Sequence, residues 1–190
     1  MAPEETLPDS GPLAAFFVPN FAGIALVLAL ESISLEQRVS SLLPDQAHPL
    51  AILGLGVFAI ANVNSLLTAR VVQARIEHDV KLPNSYANPA IHKDAITFNC
   101  IQRGHQNFLE AYAQVVLSVL STAVFANRPN IAGLILLSIS AGRIMYAYGY
   151  SKNIKGRVGP VALSVFTTSI GIGYGFLVGA TAFGLNLFTE

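Results

Sequence analysis

The sequence predicts an all-α integral membrane protein, a bundle of long uncharged helices. Three observations carry that prediction. Of the 190 residues, 53% are hydrophobic and only 12% are charged, whereas soluble domains carry about 25% charged residues. The few charges are segregated, leaving uncharged runs at residues 11–30, 50–69, 111–127, 129–142 and 158–189. Those runs show no sustained alternation of apolar and polar residues and are rich in Leu, Ala, Ile and Gly. A β-barrel needs that alternation, while a helix satisfies its own backbone groups in lipid. The 11 basic and 11 acidic residues cancel, which argues against a general affinity for nucleic acid. A single cysteine leaves no internal disulfide and no thiolate-rich zinc site.

Each element follows from its run. The segment at about 11–30 is interrupted by Pro19 and Asn20, so it is expected either to span or to lie broken at the surface. MAPEETLPDS before it carries Glu4, Glu5 and Asp9 without Lys or Arg, which fits neither a secretory signal nor a mitochondrial presequence. Residues 31–48 read as a short amphipathic helix followed by a turn at Pro44. Roughly 20 apolar residues cross a bilayer core, so residues 50–69 and 158–189 read directly as spans. The run at 111–127 is short, and its helix is expected to begin earlier, near Arg103. The run at 129–142 must continue through Arg143 to about Tyr150.

Basic residues orient the bundle. Arg70, Arg75, Lys81, Lys93 and Arg103 lie between the second and third runs, and Lys152, Lys155 and Arg157 between the fourth and fifth. Only Arg38 and Arg128 lie on the other side. By the positive-inside rule both basic loops face the cytoplasm.

Some polar residues do not belong in lipid. On a helix Arg103, Asn107 and Glu110 fall at i, i+4 and i+7 on one face. Snorkelling and an intrahelical salt bridge account for Arg103, but an acid as deep as Glu110 points to a cavity or a partner. Arg143, Tyr146 and Tyr150 repeat the arrangement at i, i+3 and i+7. Guanidinium forks, an acid, an amide and phenols at one end of neighbouring helices suit a small zwitterion with several carboxylates. Glutathione fits that description, as do an amino acid and a phospholipid headgroup.

FNCIQRGHQNFLEAY (residues 98–112) and GRIMYAYGYSKNIKGRVG (142–159) resemble segments of the MAPEG superfamily, membrane-associated proteins of eicosanoid and glutathione metabolism. They are most similar to those of the type-3 microsomal glutathione S-transferases. The resemblance covers roughly residues 49–188. It implies a left-handed four-helix transmembrane bundle at 49–190, preceded by an N-terminal extension at 1–48, and assembly as a homotrimer. It also implies glutathione bound at the cytoplasmic side between subunits, with no metal. Arg103, Asn107 and Glu110 match glutathione-binding positions, and His105 falls where a polar contact is expected. Tyr146 and Tyr150 match tyrosines that touch the peptide, and Arg75 matches an arginine at the end of the first family helix. Arg157 matches the arginine that holds glutathione as its thiolate in the leukotriene-forming enzyme, a role that a fixed cation beside sulfur can play. Ile76, Ala111 and Ala113 depart from the leukotriene-forming pattern.

The activity implied is conjugation of glutathione to lipophilic electrophiles, with glutathione-dependent reduction of lipid hydroperoxides. A non-catalytic lipid-binding or scaffold member of the superfamily is the alternative, and a dedicated biosynthetic transferase acting on one lipophilic intermediate is another. The endoplasmic reticulum is the expected membrane, with the mitochondrial outer membrane as the other option. Several remaining signals have plainer readings. Cys100 reads as packing. His78, His92 and His105 lack a metal spacing. Asn88-Pro89-Ala90 reads as a turn. Gly171, Gly175 and Gly179, at spacing four, read as a helix-packing face.

Overall fold

In a computed structural model the backbone is described for residues 12–152 and 158–184, and side chains for 21–152 and 163–184. Among the described residues the regular structure is all helical: α1 (Pro12–Ser32), α2 (Leu35–Ser41), α3 (Ala51–Glu77), α4 (Ala95–Leu120), a π turn at Ser121–Phe125, α5 (Pro129–Lys152) and α6 (Val158–Ala182). Among the described residues, four helical segments are long and apolar enough to cross a membrane: Ala51–Glu77, Ala95–Phe125, Pro129–Lys152 and Leu163–Ala182. The expected all-α membrane bundle is therefore observed. The helix holding the third run begins eight residues before Arg103, at Ala95. Its 31 residues, π turn included, extend about 46 Å at 1.5 Å per residue. That exceeds a hydrocarbon core of about 30 Å, so the helix projects well beyond it.

Local chemistry sets the helix ends. After α3, Asp79 adopts a left-handed φ of 49°. The Val80 N–H then reaches back to the Arg75 carbonyl at 3.0 Å, and Val80 is buried beneath the turn. After the π turn, Asn127 takes a left-handed φ of 53°, a conformation asparagine tolerates better than most residues. Pro129 then opens α5, where its missing N–H costs nothing. The residue before it, Arg128, cannot cap the helix. Glu36 on α2 does so instead, accepting the N–H groups of Asn130 at 3.0 Å and Ile131 at 2.9 Å.

Helix α5 is the centre of the bundle and packs against α3, α4 and α6. Ile60, Val63 and Leu67 of α3, Phe108 and Val115 of α4, Ile135 and Ile139 of α5, and Ile170 and Leu177 of α6 form one apolar core. Helix α3 crosses α5 in close backbone contact. A Cβ on Gly133 would lie 2.5 Å from the Ile52 carbonyl, and one on Gly56 would lie 2.8 Å from the Gly133 oxygen. Only hydrogen fits there.

Pro19 does not break α1. This helix runs alongside α6 in the same direction: Gly23 lies against Ser169 and Gly173, and Glu31, two turns on, bonds to Tyr174 at 2.9 Å. Glu31 also accepts Arg128 Nε at 2.9 Å and NH2 at 2.6 Å. The glycines of α6 serve two neighbours. Gly171 and Gly175 receive Ser118 and Ser121, whereas Gly179 has open space around it and Gly173 faces α1. The expected spacing-four face thus holds at two of its three positions.

Candidate functional site

The polar residues singled out in the sequence gather where α4 and α5 meet, towards the end that carries the basic loops. Three helical turns of α4 supply Arg103, Asn107 and Glu110. Arg103 NH1 and Glu110 Oε1 form an ion pair at 2.7 Å, with side chains 40% and 47% exposed. Asn107, between them in sequence, turns to α5 and accepts Arg143 NH1 at 2.8 Å on its Oδ1. Beside them Gly104 lies on Ala147 of α5, where a Cβ would make ordinary van der Waals contact at 3.5 Å from Ala147 Cα.

Arg143 is only 5% exposed, and its Nε has no hydrogen-bond partner among the described residues. A buried guanidinium with an unused donor is costly, and a carboxylate or carbonyl brought to that nitrogen would relieve the cost. One and two turns beyond Arg143, Tyr146 and Tyr150 are buried with their rings 5.6 Å apart, and Cys100 of α4 packs with them. The helical spacing of Arg143, Tyr146 and Tyr150 therefore places all three on the buried side of α5.

His105 and Arg75 are engaged elsewhere. His105 Nε2 lies 3.3 Å from Thr68 Oγ1 on α3. That hydroxyl donates its proton to the Asn64 carbonyl at 2.9 Å, so the imidazole Nε2 is the donor towards Thr68. Arg75 NH1 donates to the Asn84 carbonyl at 2.8 Å, and its guanidinium stacks over Phe98. In this chain Arg75 fastens the α3–α4 loop. Arg157 lies outside the described residues.

An apolar groove of about 230 Å³ adjoins the seam. Leu66, Leu67, Ile101, Ile144 and Ala147 line it, with Arg70, Tyr148 and Ser151 as its polar members. Among the described residues, no group of three or more His, Cys, Asp or Glu side chains could hold a metal ion. Two features lay beyond the sequence reading of the site. The Arg143–Asn107 bond is one; Arg143 was visible on the face of Tyr146 and Tyr150, but its partner is set by packing between helices. The bond from Tyr86, in the α3–α4 loop, to Gln106 Oε1 is the other, and no local pattern announces a contact across twenty residues.

The MAPEG family model matches residues 53–177, which take in most of α3, all of α4 and α5 and most of α6 and leave out α1 and α2. With that match on a bundle of four spans, the chain belongs to the MAPEG family.

Proposed function

We propose that this protein is a membrane-bound glutathione S-transferase of the type-3 microsomal kind, with glutathione-dependent lipid peroxidase activity. The observation that carries the proposal is the polar seam of α4 and α5: a buried Arg143 held by Asn107 with one donor unused, beside Tyr146 and Tyr150. Family membership adds the glutathione chemistry. In this reading residues 49–190 are the catalytic domain and 1–48 an extension. Arg103, Asn107 and Glu110 hold the peptide's charged ends and Tyr146 and Tyr150 contact its backbone, while Arg75 and His105, engaged by Asn84 and Thr68, brace the loop and helices around the site. Arg157 holds the thiol as thiolate. The groove beside the seam takes the lipophilic co-substrate.

The sulfur then attacks an electrophilic carbon. A C–S bond forms as a leaving group departs, or as an electron pair moves onto a conjugated carbonyl and is protonated. With a lipid hydroperoxide the thiolate attacks oxygen and the O–O bond breaks. The lipid leaves as its alcohol, and a second glutathione converts the first to the disulfide with release of water.

The exposed Arg103–Glu110 pair within a membrane helix supports assembly as a homotrimer, because a charge pair facing hydrocarbon is unfavourable unless another subunit or water covers it. We place the protein in the endoplasmic reticulum membrane, with its basic loops on the cytoplasmic side. The test is turnover by the purified full-length protein with glutathione and four acceptors: an aromatic halide, an unsaturated aldehyde, a lipid hydroperoxide and a leukotriene epoxide. Conjugation or peroxide reduction is the expected result. Glutathione binding without turnover on any of them would favour a lipid-binding scaffold.

A further inference from the structure

The extension outside the family match sets a further long helix against the bundle. Helix α1 has 21 residues, about 32 Å at 1.5 Å per residue, close to the thickness of a hydrocarbon core of about 30 Å. It carries no charge before Glu31, its last residue but one. Length alone does not fix a helix's depth in a bilayer, but its contacts do. Gly23, at the middle of α1, meets Ser169 and Gly173, at the middle of the α6 span Leu163–Ala182. A Cβ on Gly23 would collide with the Ser169 carbonyl, so backbone lies on backbone there. One turn on, Val27 is fully buried in the bundle core with Ile170, Tyr174 and Leu177. At the far end Glu31 shares a cavity wall with Arg128, Leu177, Val178 and Thr181, and Arg128 grips its carboxylate through Nε and NH2. Arg128 immediately precedes α5, at the end of the bundle away from the basic loops. A helix lying on the membrane surface would reach α6 only at one end; α1 follows it from the middle to the far end.

We propose that α1 is a fifth membrane span, seated on α6, so that the residues before Pro12 emerge on the side of the basic loops and those after α6 on the opposite side. Helix α6 leaves the α5–α6 loop and crosses to the far side, and α1 runs beside it in the same direction at the same depth. The Glu31–Arg128 clasp, with the Tyr174 hydroxyl donating to the same carboxylate, closes the crossing at the far boundary. Paired in this way, the two charges enter the edge of the bilayer at less cost than either would alone. With α1 in place, this face of α6 is closed both to lipid and to a second copy of the chain.

The experiment reads sidedness in sealed microsomes, using the full-length protein with one epitope tag before Met1 and a different tag after Glu190. Protease added outside should remove the first tag and spare the second until detergent opens the vesicles. The reverse pattern would uphold the fifth span and overturn the cytoplasmic placement of the basic loops. Two tags that are cleaved together or protected together in sealed vesicles would overturn the proposal, because a surface-lying α1 leaves both ends on one side. A second measurement tests the seat itself. Gly23→Leu should lower the thermal midpoint in detergent by about 2–10 °C through overpacking. Gly179→Leu on α6, where a Cβ meets nothing within 4 Å, should leave it within about 1 °C. An unchanged midpoint in Gly23→Leu would show that α1 does not sit on α6 and would likewise overturn the proposal.

Discussion

The Arg143–Asn107 pair shows how a single residue can be legible in the sequence while its use is not. The helical period alone put Arg143 on one face with Tyr146 and Tyr150, and it put Asn107 on one face with Arg103 and Glu110. Which face met which depended on the packing of α4 against α5, where Gly104 lies on Ala147, and no short-range pattern encodes that. The bond is 2.8 Å long and Arg143 is buried, so removing one partner strands the other. Asn107→Leu should destabilise the protein by about 1–3 kcal/mol, read as a lower thermal midpoint in detergent. Adding Arg143→Met to that variant should restore much of the loss, because two apolar groups of suitable size leave no buried charge unpaired. A double variant less stable than Asn107→Leu would show that Arg143 is satisfied by other means.

At the scale of elements, the apolar runs announced the helices, and the family match covers the bundle from within α3 to within α6. The role of the N-terminal extension was hidden. Residues 31–48 read correctly as a short helix and a turn, but nothing in the sequence around Glu31 and Glu36 announces their partners. In the fold each makes a contact more than ninety residues away in sequence: Glu31 clasps Arg128, and Glu36 caps α5. Pro129 made the start of α5 readable, while the identity of its cap was not, since the cap comes from another helix. Glu36→Ala should cost about 1–2 kcal/mol, the range for losing an N-cap, and Glu36→Asp should be intermediate because the shorter arm reaches less well. Thermal unfolding in detergent would measure both. Gly133→Ala should cost about 1–3 kcal/mol through overpacking against Ile52, whereas Gly54→Ala, where a Cβ meets nothing within 4 Å, should be neutral or slightly stabilising.

For the whole molecule, the scarcity of charge identified the solvent, and the positions of the exceptions located the candidate site. Two spans, Ala51–Glu77 and Ala95–Phe125, are only 22% buried over their most apolar stretch, against 56% for each of the other two. The α4 span also carries the exposed Arg103–Glu110 pair. A second copy of the chain against α4 would cover both features, so native mass spectrometry in detergent should find a trimer. A monomer that retains glutathione binding would contradict the intersubunit site. The central claim is that this site holds glutathione as its thiolate, and ultraviolet difference spectroscopy of the purified protein with glutathione at neutral pH tests it most directly. A thiolate absorbance on binding that is largely lost in Arg157→Ala, with glutathione affinity less affected, is the predicted result; glutathione bound as the neutral thiol, or a thiolate signal unchanged in Arg157→Ala, would contradict it.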